Sequence, residues 1–108
     1  MQVIYTESAG KYLTYLVDIL YNENYFSFET AAAEYVDSLT IKIESTIHIR
    51  PKHKAPDHFS KYGKDLYYIS YPKNKRTTWY FFFTYHTDND IYYIRYITNN
   101  HVAAHLLG

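Results

Sequence analysis

The sequence predicts an α+β domain in which an N-terminal antiparallel helical hairpin packs on one face of a three- to four-stranded antiparallel sheet. Three observations predict it. Apolar residues before about residue 50 recur every three or four positions, and after about residue 60 the period shortens to two. The run 77–98 is almost entirely aromatic, β-branched or Thr, broken once by Thr87-Asp88-Asn89-Asp90, which reads as a hairpin around a polar turn. Pro51 separates the two regimes, because the residue before a proline avoids the helical region. A chain of 108 residues suits one domain spanning 1–108.

Val3-Ile4-Tyr5 is short and apolar and fits an edge strand, and Ser8 is placed to cap a first helix. Leu13, Leu16, Val17 and Leu20 form one stripe of that amphipathic helix over about 9–23. Ser27 is the expected cap of a second helix at about 28–48, whose inner face holds Val36, Leu39 and Ile43. Residues 51–66 show no period. Strands are expected at 67–71, 78–86 and 91–98. The first strand of the hairpin is apolar on both parities, which predicts a central strand. The second splits into Ile91, Tyr93, Arg95 and Ile97 on one face and Tyr92, Ile94, Tyr96 and Thr98 on the other. The expected core is Leu13, Leu16, Val17, Leu20, Val36, Leu39, Ile43, Phe82, Ile94 and at least one of Phe81 and Phe83. The tail after Asn99 fits a turn or two of helix.

Charge is zero in sum and uneven in distribution. Residues 1–49 set seven acids against Lys11 and Lys42. Residues 50–76 set eight bases against Asp57 and Asp65, a net of +6. Such a block attracts phosphate or serves as a solvated face. Without cysteine there are no disulfides, no thiol catalysis and no Cys-ligated zinc. No apolar run reaches the ~18–20 residues that span a bilayer, and Met1-Gln2-Val3-Ile4 does not open a signal peptide, so the cytoplasm is the expected location. Three glycines form no phosphate loop, and no nucleophile elbow or carboxylate pair stands out.

Two groups of residues can carry chemistry. Nine of the 15 tyrosines lie between Tyr62 and Tyr96. They can form a platform on which bases stack, or simply a half-buried strand surface. Histidine exchanges protons near neutral pH, and of His48, His53, His58, His86, His101 and His105, His101 lies just past a strand end beside two asparagines. His101 and His105 have the i, i+4 spacing of helical metal ligands, but no carboxylate accompanies them, and no metal site is assigned.

The chain resembles the RelE/ParE toxins of bacterial type II toxin–antitoxin systems. The resemblance covers about residues 9–101. It rests on the length, on Ala32…Tyr35…Leu39…Ile43 in the second helix, on the Pro51 stop, on Trp79-Tyr80-Phe81-Phe82-Phe83, and on Ile94-Arg95-Tyr96-Ile97-Thr98-Asn99-Asn100-His101. It implies a toxin that cleaves messenger RNA on the ribosome, with no cofactor. His101, Arg76 and Arg95 would be catalytic, and Lys73, Lys75, Lys52 and Lys54 would hold RNA phosphates. It also implies a cognate antitoxin with an acidic segment, and it admits a homodimer. The third strand carries aromatics where RNA-cleaving members carry arginine, and the second has Tyr68 and Ser70 where they carry cations. The resemblance therefore equally admits a non-enzymatic inhibitor of DNA gyrase, or an inactive relative that only binds an antitoxin.

Overall fold

A computed structural model describes residues 1–102. The first strand, β1 (Gln2–Tyr5), leads directly into helix α1 (Glu7–Asn22). Thr6 caps α1, its Oγ1 accepting from the Ala9 amide at 3.4 Å, so the cap lies two residues before the expected Ser8. The helix ends where Asn24 turns left-handed at φ 62° and the Tyr25 amide returns to the Leu20 carbonyl. Helix α2 (Glu29–Thr46) comes next. Its N-cap is Phe28 rather than the expected Ser27, and no side chain closes that end.

Beyond Pro51 come a two-residue strand β2 (His53–Lys54), a 3-10 turn (Asp57–Tyr62), and the strands β3 (Tyr67–Pro72), β4 (Thr78–His86) and β5 (Ile91–Asn99). The sheet has five strands in the order β1-β5-β4-β3-β2. This corrects the expected three to four antiparallel strands. β2 to β5 are antiparallel, but β1 runs parallel to β5, held by Gln2↔Ile91 to Tyr5↔Ile94, with the Thr6 amide on the Ile94 carbonyl. As expected, β4 is central and β1 forms an edge.

Both helices pack on one face. Leu16, Val36, Leu39, Ile43 and Ile47 meet Ile69, Trp79, Phe81, Phe83, Ile94 and Ile97 in the main core. Leu13, Val17 and Leu20 are half-buried against it rather than enclosed. Trp79 lies inside it and donates from Nε1 to the Tyr35 hydroxyl at 3.0 Å. Among the described residues, no helix is long and apolar enough to cross a membrane.

The second face is also covered. Residues 55–66, part of the stretch 51–66 that shows no period in the sequence, fold back over it, and Phe59, Leu66 and Phe82 form a second small core. His53, Tyr68, Phe82 and Tyr96 stand in one cross-strand row. Phe59 lies on Phe82 at 4.5 Å between ring centroids, and Tyr62 stacks on Tyr96 at 4.1 Å and 6°. Most of the clustered tyrosines are thus held by one another, which favours the half-buried strand surface over an open stacking platform.

Candidate functional site

The tail of β5 and the loop between β3 and β4 meet at one end of the sheet. The loop is shaped by Asn74, whose side-chain oxygen accepts from the amides of Arg76 and Thr77, both at 2.9 Å. Asn100 then clamps it. Its side-chain oxygen accepts from the Thr78 amide at 2.9 Å, and its side-chain nitrogen donates to the Arg76 carbonyl at 3.0 Å. His101 is the next residue. Its amide donates to the Asn99 side chain at 2.9 Å, and its Nε2 lies 3.1 Å from the Thr77 hydroxyl. One polar knot therefore fixes His101 beside the backbone of Arg76 and Thr77. The Lys75, Arg76 and His101 side chains are exposed there.

The other expected cations do not converge on this point. Lys73 belongs to the loop but turns onto α2, donating to the Ser38 hydroxyl at 2.9 Å with its ammonium 5.2 Å from the Tyr35 ring centre. Arg95 lies elsewhere on the sheet. Its Nε donates to the Thr84 hydroxyl at 2.8 Å, and its stem passes under Gly63. Thr84 is six strand positions from Thr78, so Arg95 is held roughly 20 Å along β4 from the His101 end. Grouping Arg95 with His101 and Arg76 is thereby corrected. A bulge opposite Phe82 and Phe83 aims Arg95 at the Thr84 side.

Lys52 donates to the Arg50 carbonyl at 3.1 Å and sits 5.9 Å from the Tyr92 ring centre, where burial holds its ammonium pKa below the usual value. Lys54 stands on edge strand β2 and lines a hollow of about 340 Å³ with Ser60, Lys64 and Asp65. Neither lysine belongs to the knot. Arg50 is likewise structural, bridging the Thr46 hydroxyl and the Ser70 carbonyl.

The remaining described histidines pack on aromatic rings or stand at the surface: His53 on Tyr68, His58 on Phe59, His86 on Tyr93, and His48 exposed. Among the described residues, no three His, Asp or Glu side chains gather as a metal site. His105 and the expected helical tail beyond Val102 lie outside the described residues.

Asn100 and Thr77 are the site residues that sequence reasoning missed. An Asn-Asn pair after a strand marks a polar end, but only the fold shows which carbonyl and amide it captures. The chain matches no family model, no curated protein and no solved structure.

Proposed function

We propose that the chain is a toxin of RelE/ParE type that acts in the cytoplasm by cleaving messenger RNA on the ribosome. The observation that carries this reading is the Asn100 clamp, which holds the backbone of Arg76 and Thr78 beside His101 at one sheet end, with the Arg76 and His101 side chains exposed. In this reaction the 2′-hydroxyl attacks its own phosphodiester. His101 takes the hydroxyl proton, and Arg76, assisted by Lys75, holds the charge that develops on the phosphoryl oxygens. A proton passes to the departing 5′-oxygen, leaving a 2′,3′-cyclic phosphate and a 5′-hydroxyl. A cognate antitoxin with an acidic segment would cover the same cations, and its grip would weaken with salt.

A second reading is favoured by Arg95. With that arginine tied to Thr84 and aromatics along the second face, few cations remain on the sheet to grip RNA. A toxin that binds gyrase needs no acid–base set. Induced expression of the parent, His101→Ala and Arg76→Ala separates the two. For the nuclease, the parent stops growth and leaves new mRNA ends, and His101→Ala lowers cleavage ~10²–10⁴-fold. A His101→Ala chain as toxic as the parent, with gyrase-linked DNA damage, would replace the nuclease reading with gyrase binding.

A further inference from the structure

The two helices leave a groove between them on the solvent side. It measures about 360 Å³, with Leu13, Val17 and Val36 on its floor and Asp18, Glu29 and Asp37 around it. No lysine or arginine lines it. All three carboxylates are on exposed residues, and none is in an ion pair among the described residues, where the pairs are Lys11–Glu7 and the Met1 amine with Asp90. The floor is partly open, since Leu13 and Val17 are only half-buried against the core.

The chain does not neutralise this groove itself. Residues 1–49 set seven acids against Lys11 and Lys42, and Lys11 is taken by Glu7 at 2.9 Å. At ~3.6 residues per turn, Glu29, Val36, Asp37 and Thr40 share one flank of α2, and Tyr35 and Ser38 stand on the other. Lys73 reaches α2 through Ser38 and the Tyr35 ring, so the basic β3–β4 loop meets the flank away from the groove. A negative rim over an apolar floor is thus left without a counter-charge.

Both features restrict the occupant. A bare cation would match the rim and leave the floor wet, whereas a purely apolar segment would bury the floor beside unmatched carboxylates. The walls are helices whose backbone groups are already bonded, so an extended peptide finds no strand edge to pair with. A helix satisfies its own backbone. From Glu29 to Thr40 α2 rises roughly 16 Å, about three turns, which takes apolar anchors at i, i+3, i+4 and i+7. Phe28, the residue before Glu29, is 70% exposed and adds apolar surface at the turn between the helices.

We infer that this groove docks a basic amphipathic helix of a partner protein. The apolar stripe of that helix lies on Leu13, Val17 and Val36, and its Lys and Arg flanks lie beside Asp18, Glu29 and Asp37. The chemistry is the reverse of the acidic segment that would cover Lys75 and Arg76, and the inference does not rest on the RNA reading.

The probe is a labelled Leu/Lys peptide of about 18 residues with Leu at helical spacing, set against a scrambled peptide of the same composition. Fluorescence anisotropy measures binding, and NMR locates it. The parent should bind the amphipathic peptide about tenfold more tightly than the scrambled one, with amide shifts centred on Leu13, Val17, Val36 and Thr40. The variant Asp18→Asn/Glu29→Gln/Asp37→Asn should bind it about tenfold more weakly, since three exposed pairs are lost together. Raising salt to about 0.5 M should weaken the parent more than this variant. The three positions are exposed, and circular dichroism checks that the variant folds. Equal binding of the two peptides, a variant that binds as the parent does, or shifts centred away from the groove would each overturn the inference. The variant leaves Arg76 and His101 untouched, so loss of peptide binding with mRNA cleavage retained separates this groove from the RNA reading.

Discussion

Phe59→Ala tests whether the second face of the sheet is a real core. Phe59 is 2% exposed, with its ring 4.5 Å from Phe82 and 6.2 Å from Tyr96. A buried Phe removes roughly 150 Å² from water, about 4 kcal/mol at ~25 cal/mol per Å². Phe-to-Ala truncations in cores cost about 3–5 kcal/mol, which agrees. A domain of this size is stabilised by only about 5–15 kcal/mol, so one substitution removes a large part of the total. Urea unfolding monitored by fluorescence gives the loss directly. Hydrogen exchange shows whether residues 55–66 detach first, as they should if Phe59 is their main anchor. Tyr62→Ala should cost clearly less, because Tyr62 is only half-buried. A Phe59→Ala loss below about 1 kcal/mol, with the Ala55 and Gly63 amides still protected, would refute the second core.

The polar contacts give two further expected outcomes. Asn100→Ala removes two hydrogen bonds and strands the Thr78 amide, so stability should fall by about 1–3 kcal/mol. The Thr77 and Thr78 amides should also exchange faster, and parent-like protection would show that the clamp is not what holds the loop. The Tyr5 hydroxyl donates to Glu44 at 3.2 Å, and burial, together with the smaller effect of the Glu44 charge, pushes its pKa well above the ordinary tyrosine value. Folding therefore favours the protonated phenol. Its contribution is complete below about pH 10 and declines as pH rises further. Thermal melts from pH 9 to 11 should fall more steeply for the parent than for Tyr5→Phe, and parallel curves would count against the coupling.

Much of the fold was legible because it rests on periodicity. The stripe Leu13-Leu16-Val17-Leu20 and the series Val36-Leu39-Ile43 place both helices within one or two residues of their bounds. The alternation beyond residue 66 does the same for β3, β4 and β5. The cover over the second face was not legible. Phe59 and Leu66 are two apolar residues in an aperiodic, basic stretch, and only the sheet beneath them shows what they bury. β1 was visible as a strand, but its direction is set by which edge it joins. At the site, His101 stood out because it is a histidine past a strand end. The knot around it depends on which carbonyl the Asn100 amide meets, and no local pattern encodes that.

Arg95 shows how a single backbone irregularity changes a functional reading. On strict alternation it shares a face with Ile97, and a mid-strand arginine among tyrosines invites a role in binding phosphate. The register pairs Phe82 with Tyr96 and Phe83 with Ile94, so Arg95 has no partner of its own across the ladder. That extra residue inverts the parity of everything after it. Ile97 turns into the helix-side core, while Arg95 and Tyr96 both face the 3-10 turn. There the Arg95 stem lies so close under Gly63 that an added Cβ would come within 3.1 Å of its Cδ and 3.3 Å of Thr84 Cγ2. The guanidinium is fixed by Thr84 and sits 5.8 Å over the Tyr93 ring. A side chain pinned at both stem and head cannot swing to a phosphate at the other end of the strand. Arg95 ties the cover to the sheet, and the charge available to a ligand near His101 is that of Arg76 and Lys75.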